Sequence, residues 1–72
     1  MQNLELFAFR EKMLRRQRKL NQQQLGEALG LTQTAISNIE NGGRGTTIEK
    51  LILLAKFFDV STDYLLGLKD KP

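Results

Sequence analysis

The 72 residues suffice for one domain, and a chain this short buries only about 60% of its unfolded surface, so its stability margin is small. It holds no cysteine and no histidine, which excludes disulfides, thiolate nucleophiles, cysteine zinc sites and the commonest general base. The net charge of +3 lies in residues 1–45, which hold seven basic and four acidic side chains, while residues 46–72 hold four of each.

The first helix is expected over residues 4–19. It carries Arg10, Lys12, Arg15, Arg16, Arg18 and Lys19, opposed within residues 10–19 only by Glu11. Such a cluster attracts phosphates, although by itself it reads as a solvated helix face. The N-terminus lacks the basic-then-apolar pattern of a secretion signal, and no apolar run approaches the ~20 residues of a membrane helix.

Asn21 caps a second helix over residues 22–29. Leu25 and Leu29, four apart, share its inner face. Gly26 sits between them, where a side chain would hold a neighbouring helix away. Gly30 ends the helix, since glycine enters the left-handed region at no steric cost. Thr32 caps a third helix over residues 33–41, whose inner face is Ile36 and Ile39. Its outer face is Gln33, Thr34, Ser37, Asn38 and Asn41. These are uncharged polar side chains, of the type that hydrogen-bonds base edges in a DNA major groove.

The glycine-rich loop at residues 42–45 breaks the helix. Thr46 or Thr47 caps a fourth helix reaching Phe58, and Glu49 is placed to complete a capping box with Thr46. Ser61 caps a short fifth helix that stops at Gly67. Residues 1–67 form the domain, and residues 68–72 read as a frayed tail or the start of a linker. The expected core is Phe7, Leu14, Leu20, Leu25, Leu29, Leu31, Ile36, Ile39, Ile48, Leu51, Leu54, Ala55, Phe58, Val60 and Leu65.

The stretch QQQLGEALGLTQTAISNIEN at residues 22–41 resembles the helix-turn-helix of the phage Cro and repressor class. The matching positions are Gln22, Gly26, Gly30, Gln33, Ile36-Ser37 and Ile39-Glu40-Asn41-Gly42. Outside the motif, Leu14-Arg15, Leu20-Asn21, Ile48, Leu51, Leu54-Ala55, Val60-Ser61 and Tyr64-Leu65-Leu66-Gly67 also match. The likeness covers roughly residues 7–67. It implies an all-α, five-helix, lambda-repressor-like DNA-binding domain of a bacterial or phage cytoplasmic regulator, a repressor, with no cofactor and no metal.

The resemblance also assigns roles. The third helix enters the major groove, where Gln33 can bond an adenine bidentately and Thr34, Ser37 and Asn38 face base edges. Gln22 and Asn41 hold phosphates, and Thr32, chiefly a cap, is often sent towards DNA as well. Arg44, in the loop after the reading helix, is the best single cationic phosphate clamp. Glu40 would repel DNA if it faced outward, and the class turns this acid inward against the arginine matched by Arg15. Glu11 departs from the pattern, since an apolar residue is usual there. Phe9 and Met13 are apolar where the class is often polar, so the first helix is either rotated or carries a second apolar stripe.

One such helix reads only about four or five base pairs, too few for selectivity against a genome. A homodimer on a pseudo-palindromic operator is therefore expected, paired through Phe57, Tyr64, Leu66 and Leu68; the alternative leaves Phe57 and Leu66 in the core of a monomer that pairs on DNA. A competing reading is an antitoxin-like protein-interaction module with secondary DNA binding. An enzyme is disfavoured, because no carboxylate pair, phosphate loop or nucleophile is in evidence.

Overall fold

A computed structural model, which describes residues 2–72, arranges five helices around one core: α1 (Asn3–Gln17), α2 (Gln22–Leu29), α3 (Gln33–Glu40), α4 (Ile48–Phe58) and α5 (Thr62–Leu65). Phe7 of α1, Leu25 of α2, Ile36 and Ile39 of α3, Leu54 of α4 and Leu65 of α5 are wholly buried together. Leu14, Leu20, Leu29, Leu31, Leu51 and Val60 pack half-buried around them. Ile48 does not join this core and is 77% exposed. The inner stripe of α4 is Leu51, Leu54, Ala55 and Phe58, and Ile48 continues it one turn beyond the packed region. Ala8 and Glu11 are buried instead.

α1 is not rotated to hide its unusual apolar residues. Glu11 faces inward with no exposure, and Phe9 and Met13 form a second stripe on the outside, 54% and 39% exposed. α1 ends at Gln17 and α3 at Glu40, each short of the expected end. The cause at α1 is Lys19, which takes the left-handed conformation at φ 59°. The Lys19 amide then donates to the Arg16 carbonyl and the Leu20 amide to the Arg15 carbonyl. This closure satisfies carbonyls that the helix end would orphan. The same closure recurs at Gly30 and at Asp59.

The helix starts are held by side chains. Asn21 and Gln24 form a reciprocal capping box at α2. Thr32 caps α3 by accepting from the Ala35 amide, and Ser61 caps α5 by accepting from the Tyr64 amide. The cap of α4 is Thr47, which accepts from the Lys50 amide. The expected box between Thr46 and Glu49 does not form, because the Thr46 hydroxyl donates to the Gly43 carbonyl at 2.7 Å.

The tail is tied to α1 rather than frayed. Arg10 donates to the carbonyls of Tyr64 and Lys69 and lies over the Tyr64 ring, 4.2 Å from its centre. The Asn3 amide donates to the Leu66 carbonyl at 2.6 Å. Leu66 is half-buried, and so is Phe57, which meets Phe58 edge-to-face at 5.1 Å. Of the four side chains expected to pair two copies, Leu68 alone is largely open, at 65% exposure. No helix among the described residues is long and apolar enough to cross a membrane.

Candidate nucleic-acid interface

The turn between α2 and α3 brings the two helices to a fixed angle. Gly30 adopts φ 72°, ψ 27°, and the Leu31 amide closes on the Gly26 carbonyl at 2.7 Å. Gly26 therefore lies directly against the turn. A β-carbon there would stand 2.7 Å from the Leu31 carbonyl oxygen and 3.2 Å from the backbone of Thr32. The sequence reading attributes this glycine to the approach of the next helix; in the structure the approaching element is the turn backbone itself.

α3 buries Ile36 and Ile39 and presents its other face outward. Gln33 and Thr34 are exposed, and Ser37 and Asn38 are partly exposed. All four lie on one short helix, so they form a continuous polar, uncharged surface. Thr32 is exposed as well, its hydroxyl committed to the cap. Asn41 closes α3 with its side chain in solvent. The chain then turns back: the Gly43 amide donates to the Ile39 carbonyl at 2.7 Å and the Arg44 amide to the Asn38 carbonyl at 3.0 Å. These bonds carry the exposed Arg44 guanidinium to the end of the α3 surface, where no side-chain partner among the described residues engages it. Lys50 reaches back to the Gly45 carbonyl at 3.1 Å and places a second cation beside this loop.

The basic cluster of α1 is divided by the fold. Arg10 is bound to α5 and the tail, Arg15 is buried, and Arg18 stacks on Phe57 and Phe58 at 5.3 and 5.5 Å. Among the described residues, only Lys12, Arg16 and Lys19 of the six have no such partner.

Behind the polar face lies an ion pair. The Arg15 Nε donates to Glu40 Oε2 at 2.6 Å and its Nη2 to Glu40 Oε1 at 2.9 Å, a bidentate fork. Arg15 Nη1 also donates to the Leu20 carbonyl at 2.7 Å. The side chains are 10% and 3% exposed. Gln22, the first residue of α2, turns its amide inward and donates to Glu40 Oε1 at 3.2 Å. Burial opposes the charge on Glu40, but the hydrogen bonds from Arg15, Glu11 and Gln22 outweigh it and hold the carboxyl below its ordinary value. The bond to Glu40 raises the Arg15 guanidinium further.

A compact five-helix domain with a capped helix–turn–helix and a polar outer face on α3 defines a helix-turn-helix protein. The helix-turn-helix family model matches residues 12–65, and the chain belongs to that family. It is 36% identical over 67 residues to the uncharacterized HTH-type transcriptional regulator YobD of Bacillus subtilis, covering 93% of this chain and 60% of that protein. The control protein C.SmaI of Serratia marcescens is 37% identical over 70 residues, covering 93% of this chain and 83% of that one. The fold is similar to that of the P22 c2 repressor, solved in complex with a synthetic operator. The TM-score is 0.80 at 33% identity, over 89% of this chain and 97% of that one. This chain thus spans 60% of the length of YobD, less than two thirds.

Proposed function

We propose that this domain binds duplex DNA sequence-specifically and acts as a transcriptional regulator, a repressor, with α3 in the major groove. The observation that carries this reading is the exposed, uncharged polar face of α3 beside a capped turn. The likeness to a repressor solved on operator DNA supports it. In this reading Gln33, Thr34, Ser37 and Asn38 address base edges. Gln22, Thr32, Asn41 and Arg44 hold the backbone and set the register, while Arg15 and Glu40 tie α1 to α3 from behind. Two copies on a pseudo-palindromic operator supply the length of readout that one helix lacks. Selection of binding sites from a random duplex pool, followed by gel shifts at two salt concentrations, tests the whole reading. Failure to enrich any sequence would overturn it.

Two variants separate reading from holding. Gln33→Ala is expected to cost about 1–3 kcal/mol on the selected duplex and far less on random DNA, because its amide bonds a base edge. Equal losses on both would remove Gln33 from base readout. Arg44→Ala is expected to weaken binding to all sequences and to lower the salt slope by about one, for one phosphate neutralised. A slope identical to the parent's would place Arg44 away from the backbone.

A further inference from the structure

Glu11 is the one acidic side chain that the fold buries completely, and neither the ion pair nor the reading face accounts for it. Both of its carboxyl oxygens are sealed from solvent, and among the described residues no N–H or hydroxyl donor reaches either of them. A buried carboxyl without donors is satisfied only by becoming the donor itself. The acceptor within its reach is Glu40, whose carboxylate already takes the Arg15 fork and the Gln22 amide.

We propose, with the DNA-binding reading above as premise, that Glu11 is a positioning residue: its carboxylic acid proton bonds Glu40, and through Glu40 it holds the Gln22 amide at the DNA-facing start of α2. An ionised Glu11 would set two carboxylates side by side over one guanidinium. Glu40 would be pushed from its place, and with it the side chain to which Gln22 is anchored.

The charge environment supports this arrangement. Burial, the hydrogen bond to Glu40 and repulsion by Glu40 raise the Glu11 carboxyl to about 9, against weaker opposition from Arg15 and Lys12. From α2 the uncharged Gln22 reaches the same Glu40 carboxylate. On α5, Tyr64 lies beneath Arg10 and Asp63 faces Lys69 at 3.9 Å. The chain has no histidine or cysteine, so between pH 6 and 9 only the α-amino group would ordinarily titrate beside Glu11.

The test has two arms on the full chain, with Glu11→Gln as the conservative rescue, since a carboxamide donates to Glu40 at every pH. In the first arm the side-chain carbonyl carbons of Glu11, Glu40 and Gln22 are followed by NMR from pH 5 to 10, with circular dichroism alongside. Glu11 is expected to titrate near the upper end, the Gln22 carbon to move in step, and the Gln22 carbon of Glu11→Gln to stay still. Titration of Glu11 in the ordinary carboxylate range, a Gln22 carbon indifferent to it, or unfolding in step with it would overturn the proposal. In the second arm the affinity for a duplex selected from the random pool is measured across the same range. The parent is expected to lose about tenfold more than Glu11→Gln between pH 7 and 9.5, the worth of one charge-assisted hydrogen bond to phosphate. Identical pH profiles would overturn the link to DNA. If no duplex is selected, the DNA-binding reading falls, while the NMR arm still decides whether Glu11 positions Gln22.

Discussion

Gly26→Ala is expected to destabilise the domain, although alanine is the better helix former by about 1 kcal/mol. The added β-carbon would stand 2.7 Å from the Leu31 carbonyl oxygen. That oxygen belongs to the backbone of a turn held between the left-handed Gly30 and the Thr32 cap, so it cannot swing aside as a side chain would. Overpacking of this kind costs about 1–3 kcal/mol and exceeds the propensity gain. Gly26→Leu adds three more carbons to the same collision. A domain of this length has roughly 4–11 kcal/mol in hand, so Gly26→Leu is expected to leave much of the population unfolded at room temperature. Urea titrations of the parent and both variants check this. An alanine variant with a higher midpoint than the parent would show that α2 does not lie against the turn as described.

Arg15→Ala is expected to be comparably severe at neutral pH. Among the described residues the guanidinium is the one cation bonded to Glu40, and its loss leaves a 3% exposed carboxylate with only the neutral Glu11 carboxyl and Gln22 amide as partners. Breaking one side of a buried pair costs about 3–5 kcal/mol, because the remaining charge is stranded. The effect depends on pH with a definite sign. In the parent the Glu40 carboxyl lies below its ordinary value, so its contribution is present above the unfolded carboxylate range and lost as pH falls through the folded value. In Arg15→Ala burial instead favours the protonated form. The gap between parent and variant is therefore widest near pH 7 and narrows towards pH 4. Arg15→Lys keeps the charge but not the fork and is expected to fall between the two. A gap that stays constant from pH 7 to pH 4 would mean that the ion pair does not set the loss.

Local signals made much of this molecule legible in the sequence. Gly30 after Leu29, Thr32 before Gln33 and the spacing of Leu25, Ile36 and Ile39 announced two helices, their turn and their buried sides, since capping and periodicity act within a few residues. The polar outer face of α3 followed by subtraction. Helix ends closed by Lys19 and Asp59 left no comparable mark, because any residue can be forced into the left-handed region when tertiary packing repays the strain. The fate of the basic cluster was equally non-local. Arg10, Arg15 and Arg18 look alike in the sequence, yet they meet Tyr64, Glu40 and Phe57, between 25 and 54 residues away. Ile48 shows the same limit: its spacing fits the inner stripe of α4, but only the three-dimensional extent of the core decides that the stripe is uncovered at that turn. Glu11 is the sharpest case. Its sequence marks it as an acid at an apolar position, and only the meeting of α1, α2 and α3 turns it inward onto Glu40, because hydrogen-bond partners for a buried carboxyl are supplied by whichever chain segments the fold brings together.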